Sequence, residues 1–352
     1  MLSNIRAIFS NSKIDFMKIH KITIYSSFIF MALSILLVFV KGLNLGIDFT
    51  GGLLVEIRIS NDRILDKINH NSKENSSKQD QINIESLNEI SHLRKIIAKI
   101  TNDASVQTID SNNFLIKIGG LNLAKSSNDL DRSISGNDLA IQNDTSNQAK
   151  LDQQQIVKNI QDALSQEYNN HIEYRKIDFV GPQIGSSLIK KGFFALFFSF
   201  ISILIYIWFR FDWQFGIGGI FALIHDTILT LGFFAITQLE FNLTSIAAIL
   251  TIIGYSINDS VVIYDRIREN ITKNPKMKLD DLINSSTNST LSRTVLTAGA
   301  TIVSLLALIF FGGDVLRSFS VATFFGIIIG TYSSIYISAP ILLYFNPVKQ
   351  VK

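Results

Sequence analysis

LTSIAAILTIIGYSINDSVVIYDR, running from Leu243 to Arg266, is an apolar stretch with a carboxylate, Asp259, set deep inside it. It is long enough to cross a bilayer as a helix, which takes roughly 20 mainly apolar residues. A charge at the centre of such a helix costs on the order of 2.5–3.5 kcal/mol on insertion scales. Ionisable residues kept there are read as functional, each with a partner to be found. Two partners stand elsewhere in the chain: the pair His225–Asp226 inside a second apolar segment, and Arg293 at the mouth of a third. The first reading is a membrane protein that handles ions or protons.

The rest of the composition agrees. The 352 residues are 47% hydrophobic and include 26 Phe, as in a membrane protein diluted by a polar domain. The net charge of +3 is small, and no basic block argues for nucleic acid. Cysteine is absent, which excludes disulfides, thiolate catalysis and Cys-based metal sites. The five His are scattered without metal-ligand spacing, so no metal and no other cofactor is expected. Apolar runs at Ile22–Val40, Phe193–Phe209, Phe215–Thr237, Leu243–Tyr264, Val295–Phe311 and Phe319–Phe345 make six spans. The first is too long for a signal-peptide core and no small-residue cleavage site follows it, so it is read as an uncleaved anchor.

Orientation follows from Lys and Arg near the span ends. Arg6, Lys13, Lys18 and Lys21 precede span one; Arg266, Arg268, Lys273, Lys276, Lys278 and Arg293 lie between spans four and five; Lys349 and Lys352 follow span six. An even number of spans puts all three groups, and both termini, on the cytoplasmic face, with Lys190 and Lys191 a minor exception. The predicted division is therefore 1–41 (cytoplasmic N-terminus and span one), 42–191 (an outer domain), 192–346 (spans two to six) and 347–352 (a cytoplasmic tail).

Within the outer domain, Leu53–Ile59 reads as a strand. Ser86–Ile100 and Gln154–Tyr168 carry apolar residues at helical spacing. Ser105–Ile109 and Phe114–Ile118 flank an Asp-Ser-Asn-Asn turn, a hairpin signal, and His171–Val180 closes with a further strand. The order βαββαβ predicts an α+β, ferredoxin-like unit. Polar inserts near 61–83 and 122–153 bury too little to repay their ordering entropy and are read as mobile loops.

The spans have patterns of their own. Ala322, Gly326, Gly330, Ser334 and Ser338 recur every four residues in span six, a small-residue stripe that lets helix backbones approach. Gly218, Ala222, Asp226 and Thr230 share a face of span three, and Arg293, Thr297, Thr301 and Ser304 a face of span five. Lipid offers such faces no partners, so both are expected to point inward, letting Asp259, Asp226 and Arg293 converge on one path. Adjacent residues sit about 100° apart on a helix, so His225 is expected to bond to a neighbouring helix and Asp226 to act as a secondary relay. Desolvation disfavours the charged form of a carboxylate in general, and Asp259, flanked by Asn258 and Ser260 with Tyr255 one turn earlier, is read as proton-handling rather than as a structural partner of another helix. Arg293 is read either as its electrostatic partner or as a positive-inside anchor.

Four local motifs complete the reading: Gly46-Ile47-Asp48-Phe49-Thr50-Gly51-Gly52 after span one, Gly181-Pro182-Gln183-Ile184-Gly185 before span two, Gly254-Tyr255-Ser256-Ile257-Asn258-Asp259-Ser260-Val261-Val262 in span four, and Thr290-Leu291-Ser292-Arg293-Thr294 opening span five. The glycines Gly46, Gly51 and Gly52 suit a tight exit from a membrane helix, and Gly181-Pro182 a structural joint or a hinge, with Pro fixing φ at a helix start. In this order, with six spans, the motifs resemble the SecF family, the smaller membrane subunits of the bacterial SecD–SecF protein-export complex. The resemblance covers nearly the whole chain outside the two inserts. It implies a proton-motive-force-driven accessory to the Sec translocon in the bacterial cytoplasmic membrane. The implied partners are SecD as a separate chain, the translocon channel, the unfolded exported polypeptide and membrane lipid. It also implies that the carboxylate of the Asn-Asp-Ser motif, Asp259, and the Arg opening span five, Arg293, serve proton coupling. No covalent catalysis is required. The rivals are a proton-coupled small-molecule or lipid exporter half of the same superfamily, an intramembrane aspartyl protease using Asp226 and Asp259, and a scaffold. The protease reading lacks the Gly-x-Gly-Asp pattern such enzymes carry.

Overall fold

A computed structural model describes residues 13–60, 78–100, 104–110, 112–119, 155, 157–168 and 171–345. Residues 61–77 and 122–153 of the two polar inserts, Arg6, and the tail 347–352 lie outside the described residues. The chain divides into two compact units, Met1–Gly46 with Ile189–Lys352, and Ile47–Leu188.

The second unit contains a four-stranded sheet. A short helix α2 (Ile47–Thr50) leads into β1 (Gly52–Ile59), followed by helix α3 (Lys78–Ala98), β2 (Ala104–Asp110), β3 (Asn113–Gly119), helix α4 (157–168) and β4 (Ile172–Val180). The sheet order is β2-β3-β1-β4 with every neighbouring pair antiparallel, the βαββαβ arrangement expected from the sequence. Alternation explains the core: Leu53, Val55, Ile57 and Ile59 of β1 and Phe114, Ile116 and Ile118 of β3 are buried on one face. Leu93 and Ile97 of α3, with Ile160, Leu164 and Tyr168 of α4, cover that face. Residues at period two from the strands thus meet residues at period 3.6 from the helices. One boundary differs from expectation. Helix α3 starts at Lys78, inside the stretch read as polar insert, because straight-chain residues such as its Lys and Gln suit a helix even where they give no apolar signal.

The other unit holds the six helices long and apolar enough to cross a membrane. They are α1 (His20–Lys41), α5 (Pro182–Arg210), α6 (Trp213–Thr237), α7 (Leu243–Lys273), α8 (Leu279–Phe311) and the pair α9 (Asp314–Ser333) and α10 (Ala339–Phe345). Span two begins well before Phe193, since α5 opens at Pro182, a residue preorganised for the first helical position. Span six is not one uninterrupted helix. Ser334–Ser338 form a π turn between α9 and α10, and the Ala339 N–H bonds back to the Ser334 carbonyl. Pro340 supplies the reason, since its missing N–H and its ring disturb the turn before it.

On α1 and α5 the large apolar residues point outward: Phe28, Ile29, Phe39, Phe193, Phe194, Phe197 and Phe198 are exposed, as lipid-facing residues should be. Helix α7, at 31 residues, is about 46 Å long at 1.5 Å per residue, well beyond a hydrocarbon core of ≈ 30 Å. Its C-terminal turns and the N-terminal turns of α8 pack through Ile267, Ile271, Leu282 and Ile283. Into the same cluster fit Phe16 and Met17 from just before α1. Two α8 amides grip that segment. Asn288 accepts from the Ile14 N–H at 3.0 Å and donates to the Ile14 carbonyl at 2.8 Å, while Asn284 accepts from the Met17 N–H at 3.0 Å and donates to Asp15 at 2.7 Å.

Helix α7 starts with a capping box. The Asn242 side chain accepts from the Ser245 N–H at 3.1 Å, and the Ser245 hydroxyl accepts from the Asn242 N–H at 3.2 Å. Replacing Asn242 with Ala removes an acceptor for an otherwise orphaned amide and is expected to cost about 1 kcal/mol. Equilibrium unfolding of the reconstituted chain measures this, and an unchanged midpoint contradicts it.

Candidate functional site

The glycine motifs come first along the chain. Around Gly46 the exit of α1 is joined to the α6–α7 connection: the Gly46 N–H bonds the Phe241 carbonyl at 2.8 Å and the Phe241 N–H bonds the Asn44 carbonyl at 2.8 Å. Beyond it, Asp48 lies half-buried in α2, and Gly51 and Gly52 both have positive φ, 73° and 140°. Gly185, the last residue of the second motif, lies where a Cβ would fall 2.6 Å from the Phe49 carbonyl oxygen. The Gly46–Gly52 motif and the helix start at Gly181-Pro182 therefore contact each other directly. In the sequence Gly185 is marked only by its place four residues after Gly181 at the start of a helix.

The stripe in span six packs on span four. A Cβ at Gly326 would lie 2.2 Å from Ile252 Cδ1, and one at Gly330 would lie 3.1 Å from Ser256 Cβ. Ser334 is buried at the head of the π turn. This close approach of α9 and α7 brings Ser256 and Ser333 to the same oxygen of one carboxylate.

That carboxylate is Asp226, fully buried at 0% exposure. Its Oδ2 accepts hydrogen bonds from Ser256 of α7 at 2.5 Å and from Ser333 of α9 at 2.8 Å. Its Oδ1 lies 3.0 Å from His225 Nδ1. The expectation that His225 would bond to a neighbouring helix is corrected here. Although the two Cα–Cβ directions diverge, the side chains fold back on each other, while His225 Nε2 is buried without a hydrogen-bond partner. Neither serine was singled out by the sequence reading, because a lone Ser in an apolar span reads as a small packing residue.

Asp259 is 2% exposed, and its Oδ2 has no hydrogen-bond partner. The groups acting on it across the helix contact are Thr294 and Arg293 of α8. The Tyr255 hydroxyl, one turn earlier, faces Thr297 and Thr301 of α8, and the Ser260 hydroxyl next in sequence to Asp259 is buried without a partner. Ser256 and Asp259 are three residues apart on α7, neighbours on its surface, so the two carboxylates flank one turn of that helix. Asp226 spends its oxygens on His225, Ser256 and Ser333, and among the described residues no hydrogen bond joins it to Asp259.

The face Arg293–Thr297–Ser304 departs from expectation. Arg293, Thr297 and Ser304 are exposed and Thr301 is half-buried, with Asn258 of α7 exposed as well. A polar face at membrane depth cannot rest against lipid without cost, so the inward rule fails for this chain taken by itself, where α8 lies at the rim of the bundle. Among the described residues no cluster of three or more His, Asp or Glu forms that could hold a metal ion.

The sequence matches the family described as protein export membrane protein SecD/SecF, C-terminal, over residues 160–347, and the SecD/SecF GG motif over residues 36–62. It is 42% identical over 331 residues to protein translocase subunit SecF of Rickettsia bellii, covering 94% of this chain and 93% of that protein, and 41% identical to the Rickettsia rickettsii SecF with 94% and 91% covered. Its fold resembles the crystal structure of SecDF, a translocon-associated membrane protein from Thermus thermophilus, at TM-score 0.68 and 31% identity over 96% of this chain. A second SecDF structure, in a super-membrane-facing form, gives TM-score 0.62 at 30% identity over 97% of this chain. The chain spans only 39% and 40% of those two SecDF chains. Sequence and fold together establish that this multi-pass membrane protein belongs to the SecF family of protein export membrane proteins.

Proposed function

We propose that this chain is a subunit of a proton-motive-force-driven accessory of the Sec translocon. It promotes export of unfolded polypeptide across the bacterial cytoplasmic membrane, with both termini on the cytoplasmic side. The observation that carries the reading is Asp259: a buried carboxylate with an unsatisfied oxygen, beside a permanently charged Arg293. A proton arriving there neutralises the carboxylate and weakens its attraction to the guanidinium, which shifts the contact between α7 and α8. Moving one charge through the potential yields roughly 2.3 kcal/mol per 100 mV, enough to bias a rearrangement of that size. The glycine joints at Gly46–Gly52 and Gly181-Pro182 would transmit the change between the membrane helices and the sheet unit. No step requires covalent chemistry.

The partner reading is SecD as a separate chain, acting with the translocon channel. Two observations support it: the SecDF chains that this fold resembles are more than twice as long, and the polar face of α8 with Asn258 of α7 is exposed in the isolated chain. A second membrane chain laid on that face would shield its polar groups from lipid and complete the surroundings of Arg293.

Sealed vesicles containing the translocon, SecD and this chain test the proposal. A membrane potential and pH gradient are expected to increase export of an unfolded substrate only when this chain is present, and a protonophore should remove the increase. Equal stimulation without the chain contradicts the reading.

A further inference from the structure

The buried cluster around Asp226 is not needed for the Asp259–Arg293 contact, yet it joins three helices at one atom. Ser256 of α7 and Ser333 of α9 both donate to Oδ2. Ser333 is the last residue of α9, and the π turn begins at the next position. Its hydroxyl also lies 3.1 Å from the Gly330 carbonyl, and Gly330 is where α9 touches Ser256. A π turn holds one residue more than the regular helix, and such turns often sit at functional sites. The irregular turn of span six is thus fastened to α6 and α7 through a single carboxylate.

We propose that Asp226 is a latch whose charge holds α9 and the π turn in register against α6 and α7, and that taking up a proton loosens it. The inference deepens the proton-coupling reading by assigning a second protonation centre with a mechanical output in span six. The balance is simple. With the Nδ1 proton of His225 directed at Asp226 Oδ1, a proton that reaches the buried Nε2 lets Nδ1 hand its own proton to Oδ1. The imidazole ends neutral as the other tautomer, the carboxyl ends neutral, and the pair has gained one proton. Both serine bonds to Oδ2 then change from charge-assisted to neutral, and charge-assisted bonds are roughly twice as strong. Ser333 is left to bond Gly330 alone, and the turn is free to shift.

The groups packed around Asp226 are consistent with a local switch. On its own helix stand His225 and the Thr230 hydroxyl, which donates to the Asp226 backbone carbonyl. Helix α7 contributes Ser256 and, one turn further, Asp259. Helix α9 contributes Ser333 and Tyr332, whose ring lies 6.2 Å from that of His225; the Tyr332 hydroxyl meets Ser27 of α1. Tyr336 of the π turn packs on Tyr332.

Amide hydrogen exchange of the full chain in lipid nanodiscs tests the latch, read over the peptide spanning 330–339 and corrected for the intrinsic pH dependence of exchange. Ser333→Ala removes one tie with little change of volume, and Asp226→Asn reproduces the uncharged carboxyl. Both are expected to accelerate exchange of these amides by roughly tenfold, the effect of losing one hydrogen bond to a charged group. Wild type should approach the same rate as the pH falls, and Asp226→Asn should make the profile flat. Wild-type protection in Ser333→Ala, or a flat profile in wild type, overturns the proposal. Should Asp226→Asn fail to insert, Ser333→Ala and the wild-type profile still decide. Because the readout does not involve export, a failed latch and a failed export role are told apart: Asp259→Asn should leave these amides at wild-type rates.

Discussion

Asp259→Asn is expected to abolish the gradient-dependent part of export while the complex still assembles. Asparagine preserves the volume of the side chain and can still meet Thr294, so the α7–α8 contact is kept. What it lacks is a titratable oxygen, and it has no charge to set against Arg293. The expected result in vesicles with an imposed potential and pH gradient is therefore loss of the whole stimulated increment, with export falling to its gradient-free rate. Copurification with SecD should be unaffected. The experiment discriminates because an ordinary structural carboxylate, replaced by its amide, leaves stimulation in place. In that case coupling would have to run through Asp226 or the partner chain.

The largest effect on stability is expected from Gly52→Ala. Gly52 opens β1 at φ 140°, a region that residues with a Cβ enter only at a cost of order 1–3 kcal/mol. A Cβ there would also lie 2.3 Å from the Ile118 carbonyl oxygen, on the strand paired with it in register. That neighbour is backbone held in a ladder, so it cannot rotate away as a flexible side chain would. Strain and clash together should exceed about 3 kcal/mol. Limited proteolysis of the reconstituted chain should show the sheet unit cut much faster while the membrane helices stay protected. A proteolysis rate equal to wild type would refute the argument.

Most of the architecture was legible because two periodicities are strong here. Apolar runs of membrane length marked all six spans, and alternation at Leu53–Ile59 and Phe114–Ile118 marked the two central strands. What the sequence hid has physical causes. The polar start of α3 carries no apolar signal at Lys78. The π turn is a matter of one extra residue before Pro340, invisible to any pattern count. Arg293 and its stripe point away from this chain's own helices, so a rule that turns polar faces toward the bundle could not place them. Ser256 and Ser333 became identifiable as partners of Asp226 only once Gly326 and Gly330 had brought α9 against α7.

The grip of Asn284 and Asn288 on the segment before α1 bears on the order in which the chain is built. Ile14 and Asn288 are 274 residues apart, so the ribosome makes the first of them long before the second. Until span five has entered the membrane, the segment leading into span one has neither its amide clamps nor the cluster into which Phe16 and Met17 fit. Contacts so distant along a chain form late, because the loop they close must be ordered first. The first span is thus inserted early but fixed late, held in its final place only when Asn284 and Asn288 arrive.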